Sequence, residues 1–149
     1  MTYIGIDPGK KGALAIIHPD GVTSVFPFSE EVYKKKLDLL RYEECFCILE
    51  RVSAMPNQGV TSMFNFGKNF GYIQGLLEAN NVPYELITPQ KWKRSFGVTA
   101  DKNSSIEVCR RLFPGSSLKR TERCRTDDDG IAEALLMAEY GRRVYGKDK

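Results

Sequence analysis

Tyr3-Ile4-Gly5-Ile6-Asp7-Pro8-Gly9-Lys10-Lys11-Gly12-Ala13-Leu14-Ala15-Ile16-Ile17 sets one carboxylate between two apolar runs. As a strand, the first run turns Ile4 and Ile6 to one face and Tyr3, Gly5 and Asp7 to the other. Pro8-Gly9 turns the chain and a second strand returns from Ala13, a hairpin whose first strand ends in an acid. Gly5 beside Asp7 leaves room for a metal ion or a phosphate. An Asp before Pro-Gly also serves as a plain turn cap.

Outward from this hairpin, Pro19-Asp20-Gly21 joins the second run to a third at 22–28, which predicts a three-stranded antiparallel meander. Ser29 with Glu30 and Glu31 signals the start of a helix ending near Tyr42. Cys45-Phe46-Cys47-Ile48-Leu49-Glu50 is short, apolar and closed by a carboxylate, the pattern of a strand buried on both faces and adjacent to the Asp7 strand. A loop carrying Pro56-Asn57-Gln58-Gly59 follows, and then a long helix over 61–80. Met63, Phe66, Phe70, Ile73 and Leu77 form its apolar stripe. Gly67, Gly71 and Gly75 form another. Each glycine costs a helix about 1 kcal/mol relative to alanine, so a close backbone neighbour is expected. Packing within the chain is favoured for the glycines, and a second subunit for part of the aromatic stripe.

A fifth strand at 82–87 leads through Thr88-Pro89 into a short basic helix, Gln90-Lys91-Trp92-Lys93-Arg94-Ser95-Phe96. Interleaved aromatic and basic residues suit a phosphate backbone with an unstacked base nearby. Trp92 can equally pack that helix onto the sheet. Asp101 caps a helix running to Phe113, and a basic loop over 116–126 precedes a final helix that opens in Asp127-Asp128-Asp129-Gly130.

The chain of 149 residues is read as one domain, 42% hydrophobic and 28% charged. Its apolar runs fall short of a membrane span, and the N-terminus enters a strand without a signal segment, so a soluble cytosolic protein is expected. Cys45, Cys47, Cys109 and Cys124 form no Cys-x-x-Cys pair, and the single His18 lies far from them, which argues against zinc or a disulfide frame. The net charge of +3 is mild, but cations cluster at Lys10-Lys11, Lys91-Lys93-Arg94, Lys119-Arg120-Arg123-Arg125 and Arg142-Arg143.

Glu133 interrupts a small and apolar stretch, four residues after Asp129 and on the same helical face. Two acids stacked at the start of a buried helix repel unless a cation sits between them. With Asp7 and Glu50 they make four acids from three elements, an oxygen set suited to Mg²⁺ or Mn²⁺. No Ser, His or Cys nucleophile arrangement competes, so two-metal hydrolysis of a phosphodiester is the chemistry these residues suggest.

The element order resembles the ribonuclease-H-like fold: an α/β architecture with a five-stranded mixed sheet, three antiparallel strands then two parallel, flanked by helices. Ile4-Gly5-Ile6-Asp7-Pro8-Gly9 with Gly12-Ala13-Leu14-Ala15 resembles the first motif of RuvC-type Holliday junction resolvases. Leu49-Glu50 with Pro56-Asn57-Gln58-Gly59 resembles the second. Asp128-Asp129-Gly130-Ile131-Ala132-Glu133-Ala134-Leu135-Leu136 resembles the last, in the form of phage members and the plastid resolvase. Bacterial RuvC usually spaces its final two positions three apart. Here Asp129 and Asp128 stand four and five before Glu133, which leaves the choice between them open, with helical facing favouring Asp129.

The resemblance implies a homodimer that binds four-way DNA and makes paired nicks with 5′-phosphate and 3′-hydroxyl ends, using two Mg²⁺ ions, or Mn²⁺, on Asp7, Glu50, Asp129 and Glu133. Such an enzyme works in a bacterial or phage-infected cytosol without a nucleotide cofactor. Lys10, Lys11, Lys91, Trp92, Lys93, Arg94, Lys119 and Arg120 are the expected DNA contacts. Phe64, Phe66 and Phe70 fall where the family places its dimer contacts and junction probe. An actin-like ATPase shares the first motif but needs a second lobe for which 149 residues leave no room. A ribonuclease H, a flap nuclease and an inactive DNA-binding module stay open.

Overall fold

The computed structural model describes residues 1–9, 11–52 and 59–146. Among these residues five strands form one sheet: β1 Thr2–Asp7, β2 Ala13–Ile17, β3 Thr23–Pro27, β4 Cys45–Glu50 and β5 Tyr84–Ile87. Their spatial order is β3-β2-β1-β4-β5, so the Asp7 strand is central. β1 pairs antiparallel with β2, which pairs antiparallel with β3. β4 is parallel to both β1 and β5. This is the mixed sheet expected from the sequence, with β5 starting later than expected: the Val82 amide is still bonded to Leu77 at the end of the preceding helix, and Pro83 has no amide to give to the ladder, although its carbonyl accepts from Cys47.

Among the described residues five helices flank the sheet: α1 Glu30–Leu40, α2 Val60–Ala79, α3 Pro89–Phe96, α4 Lys102–Leu112 and α5 Asp129–Tyr145. Ile4, Ile6, Leu14, Cys47 and Leu49 pack with Tyr33 and Leu37 of α1 and Ile73 and Leu77 of α2. On the opposite face Ala13, Ala15 and Ile48 pack with Ile131, Leu135 and Leu136 of α5 and with Trp92, Ile106 and Cys109 of α3 and α4. Side chains from Gly130 to Gly141 are buried apart from Glu133, so α5 is the central helix of that layer.

Gly5 is the reason α5 lies so close. A Cβ there would run into the Ala134 carbonyl and the Ala138 amide. The expectation that Gly5 leaves space for a metal or phosphate is therefore corrected: the α5 backbone fills that space. The glycine stripe of α2 is a second correction. A Cβ added at Gly67, Gly71 or Gly75 would meet no atom within 4 Å, so these glycines face away from the described part of the chain instead of packing against it. Among the described residues no helix is long and apolar enough to cross a membrane.

Candidate active site

Parallel pairing of β1 with β4 sets Ile6 opposite Leu49, so the next residues, Asp7 and Glu50, leave the sheet side by side and on the face covered by α5. α5 begins at that same end. Asp128 is its N-cap, the carboxylate accepting from the Ile131 amide at 3.1 Å, and Asp129 and Glu133 lie in the next two turns. One strand end, a neighbouring strand end and a helix start thus bring Asp7, Glu50, Asp129 and Glu133 together.

Burial raises the carboxyls of Asp7, Glu50 and Glu133, and repulsion from neighbouring acids adds to the rise at Asp7 and Glu133. Burial, then the charges of Glu50, Glu133 and Asp129, hold the Asp7 carboxyl well above the usual carboxylate range. Burial pushes Glu133 up to about 7 against the pull of Lys93, with Glu50 and Asp129 adding to the rise. Glu50 is raised by burial and eased back by a hydrogen bond from Trp92 and the charge of Lys93. At about 1.4 kcal/mol per pKa unit, the displacement of Glu133 alone is on the order of 3 kcal/mol of lost hydration and repulsion.

Two residues of α3 hold the acids in place. Trp92, with no exposed surface, donates from Nε1 to Glu50 Oε2 at 2.8 Å. That corrects its expected place at the DNA surface: the indole belongs to the core and orients a carboxylate. Lys93 Nζ stands 3.6 Å from Glu133 Oε1 and 5.6 Å over the Trp92 ring, so this cation also serves the acids. Among the described residues no three acids close into a ready-made coordination cluster. Glu50 leans to Trp92 and Glu133 to Lys93.

Asp128 has a different task from Asp129. Besides capping α5 it accepts from Arg120 Nη2 at 3.0 Å and Nε at 3.2 Å. Arg120 also donates to the carbonyls of Lys11 and, at 3.3 Å, Gly12, which ties the basic loop to the β1–β2 turn. Asp128 and Arg120 are thus engaged with each other, while the charge of Asp129 acts on Asp7 and Glu133.

A cavity of about 460 Å³ opens beside the acids, lined by Asp7, Gly9, Lys11 and Asp129, by Ser62, Asn65, Phe66 and Asn69 of α2, and by Lys102 of α4. Lys11, Lys91, Arg94 and Lys119 are exposed. Lys10 and the 56–58 part of the second motif lie outside the described residues. The three phenylalanines separate: Phe64 is 71% exposed, Phe66 packs under Gly9, and Phe70 is partly buried against the α1–α2 core. Sequence reasoning missed Lys102 and the polar face Ser62, Asn65, Asn69, whose i, i+3, i+7 spacing was readable but stood between two more conspicuous stripes.

The donor set is all oxygen. Cys45 and Cys47 are buried on the other face of the sheet, and His18 pairs with the Ser24 hydroxyl at 3.0 Å. Carboxylates that outnumber the cations facing them in this way fit Mg²⁺ or Mn²⁺.

No family model and no curated protein matches the chain. Solved structures do. Thermus thermophilus RuvC in complex with a Holliday junction substrate is similar at TM-score 0.63 and 14% identity, covering 96% of each chain. A second T. thermophilus RuvC structure gives 0.59 and 18%, covering 97% of each. The chain has the RuvC-type fold. The yeast mitochondrial Holliday junction resolvase Ydc2 shares it at TM-score 0.53 and 15% identity, over 91% of this chain and 75% of the other. The strand order β3-β2-β1-β4-β5 and its mix of antiparallel and parallel pairs are consistent with that fold.

Proposed function

We propose that this protein is a structure-selective DNA endonuclease that resolves four-way junctions by paired phosphodiester hydrolysis, leaving 5′-phosphate and 3′-hydroxyl ends. The observation that carries the reading is the convergence of Asp7, Glu50, Asp129 and Glu133 beside a cation-rimmed cavity. The solved structures that share the fold, T. thermophilus RuvC with a Holliday junction substrate and the yeast mitochondrial Holliday junction resolvase, favour the junction as substrate.

Divalent cations held by these four acids would supply a water nucleophile at neutral pH and charge stabilisation at the scissile phosphate. The chain's own residues do the rest. Trp92 fixes the Glu50 carboxylate, and Lys93 compensates Glu133. Lys11 and Lys102 face the incoming backbone, where two cations lower the cost of bringing phosphate next to acids. Lys91, Arg94 and Lys119 lie exposed to extend that contact.

Paired cuts require two sites, and a homodimer supplies them with the two-fold symmetry of the substrate. Its natural face is the open glycine edge of α2, where a second helix can approach closely, flanked by Val60 and Phe64 at 87% and 71% exposure. Phe64 is then the residue free to enter the junction.

The test is incubation in Mg²⁺ with four-way, three-way, flap, RNA/DNA hybrid and linear duplex substrates, mapping cuts on every strand. Symmetric cuts confined to the four-way junction are expected. Cutting of the hybrid alone would make it a ribonuclease H, and cutting of flaps with equal rate a general branched-DNA nuclease.

A further inference from the structure

Among the described residues, two buried side-chain polar atoms lack a hydrogen-bond partner, the Tyr33 hydroxyl and Asn69 Nδ2. Both belong to the surroundings of the acids. Tyr33 feels the charges of Asp7 and Arg120, and Asn69 lines the cavity that Asp7 and Asp129 share. An unpaired buried amide is costly enough that a partner is expected in the working state. For Asn69 the cavity is the place from which it comes.

Asn65 lies one turn before Asn69 and Ser62 two turns before, on the same face of α2, and all three line the cavity. They form a row of neutral hydrogen-bonding groups. The rim also carries the cations Lys11 and Lys102 and the carboxylates Asp7, Asp128 and Asp129, so a ligand in the cavity meets amides, cations and the acid set together. That combination suits a phosphodiester more than a base edge. A neutral row also has a physical advantage beside a metal-binding set: a cation there would be drawn onto the acids, as Lys93 is onto Glu133, whereas an amide grips a phosphate oxygen without competing for the carboxylates.

We propose that Asn69, supported by Asn65 and Ser62, holds a non-bridging oxygen of the phosphate adjacent to the scissile one, making it a positioning residue for the cleaved strand. This rests on the nuclease reading above. Asn69 acts through strand placement and leaves metal binding to the acids.

The experiment compares the wild type with Asn69→Ala and Asn69→Asp in single-turnover cleavage of a four-way junction, with methylphosphonate placed at one phosphate at a time around the cut. Loss of a hydrogen bond to a charged acceptor predicts cleavage about 10- to 100-fold slower for Asn69→Ala, and slower still for Asn69→Asp, whose charge repels phosphate. The Mg²⁺ concentration giving half-maximal rate and the salt slope of binding stay at wild-type values, because no ligand and no cation is removed. The melting temperature holds or rises, since an unsatisfied donor has gone. One methylphosphonate position next to the cut slows the wild type yet slows Asn69→Ala no further. Wild-type rates in Asn69→Ala, additive methylphosphonate penalties at every position, or a fall in melting temperature that accounts for the lost rate would each overturn the proposal while leaving the nuclease reading standing. If the wild type cuts no DNA, the nuclease reading fails, and the same methylphosphonate series read by binding anisotropy decides Asn69 by itself: a position-specific loss absent in Asn69→Ala supports it, and equal losses, or no binding at all, sink it.

Discussion

Helix α5 carries two glutamates in its buried length, and they are treated in opposite ways. Glu139 is 2% exposed, and the chain closes around it: Arg142 donates two bonds to Oε2, at 2.7 and 3.1 Å, and Arg143 Nε stands at 3.7 Å. Glu133, six residues earlier, keeps more surface but faces Asp7, Glu50 and Asp129 with, among the described residues, only Lys93 against it, at 3.6 Å. The first is a structural acid whose charge its own helix answers. The second sits where three elements accumulate negative charge faster than the fold compensates it, the arrangement that a metal-dependent site needs and that stability alone does not favour.

The largest way to break that contrast is at the acids themselves. On the proposed reading Asp7→Asn removes a metal ligand and is expected to slow cleavage about a thousandfold or more, while junction binding holds or tightens because a charge that repels phosphate has gone. Gel-shift and cleavage assays on the same preparation check both halves, and an equal loss of binding would count against the site. Trp92→Phe keeps the ring in the core and removes only the bond to Glu50. Its cleavage rate should fall about 10- to 100-fold, in the range seen when a group supporting a ligand is removed.

Acidity sharpens the contrast next. Glu133 stands at about 7 when folded against an ordinary value near 4.5, so the stability its proton contributes is fully present below about pH 4.5 and is lost as pH rises through about 7. Asp7 acts with the same sign. The metal-free protein should therefore lose on the order of 2 kcal/mol between pH 5 and pH 8 through these groups. Glu133→Gln reduces that loss, and Glu139→Gln keeps it while costing about 1 kcal/mol of stability and no cleavage. Mg²⁺ should raise the melting temperature more at pH 8 than at pH 5, because protons compete for the same oxygens. Thermal melts of the three proteins with and without Mg²⁺ read all of this. The smallest effects belong to the exposed cations. Lys91→Ala and Arg94→Ala should each change stability by less than about 0.5 kcal/mol and lower the salt slope of binding by about 1.

The order of strands and helices was legible because alternating runs, caps and Gly/Pro turns are local signals, and each agreed with the next. Asp7, Glu50 and Glu133 stood out for a related reason, as acids that end or interrupt an apolar run, although Asp7 before Pro8-Gly9 also read as a turn cap and only their combination pointed to a site. The pairings were not legible. Trp92 reaches Glu50 across 42 positions and Arg120 reaches the β1–β2 turn across more than 100, and no periodicity encodes such contacts. Gly5 and the α2 glycines show the same limit from the other side. A missing Cβ announces close approach or freedom, but which backbone fills the gap, α5 at Gly5 and none of the described chain at Gly67, Gly71 and Gly75, is decided by topology.

Strand-resolved mapping of cuts in a four-way junction, run in Mg²⁺ with wild type, Asp7→Asn and Glu139→Gln side by side, tests the central claim most directly. Paired, symmetric nicks with ligatable ends from the wild type and from Glu139→Gln, and none from Asp7→Asn, are the expected result. Nicks that persist in Asp7→Asn, or that vanish in a folded Glu139→Gln, would contradict it.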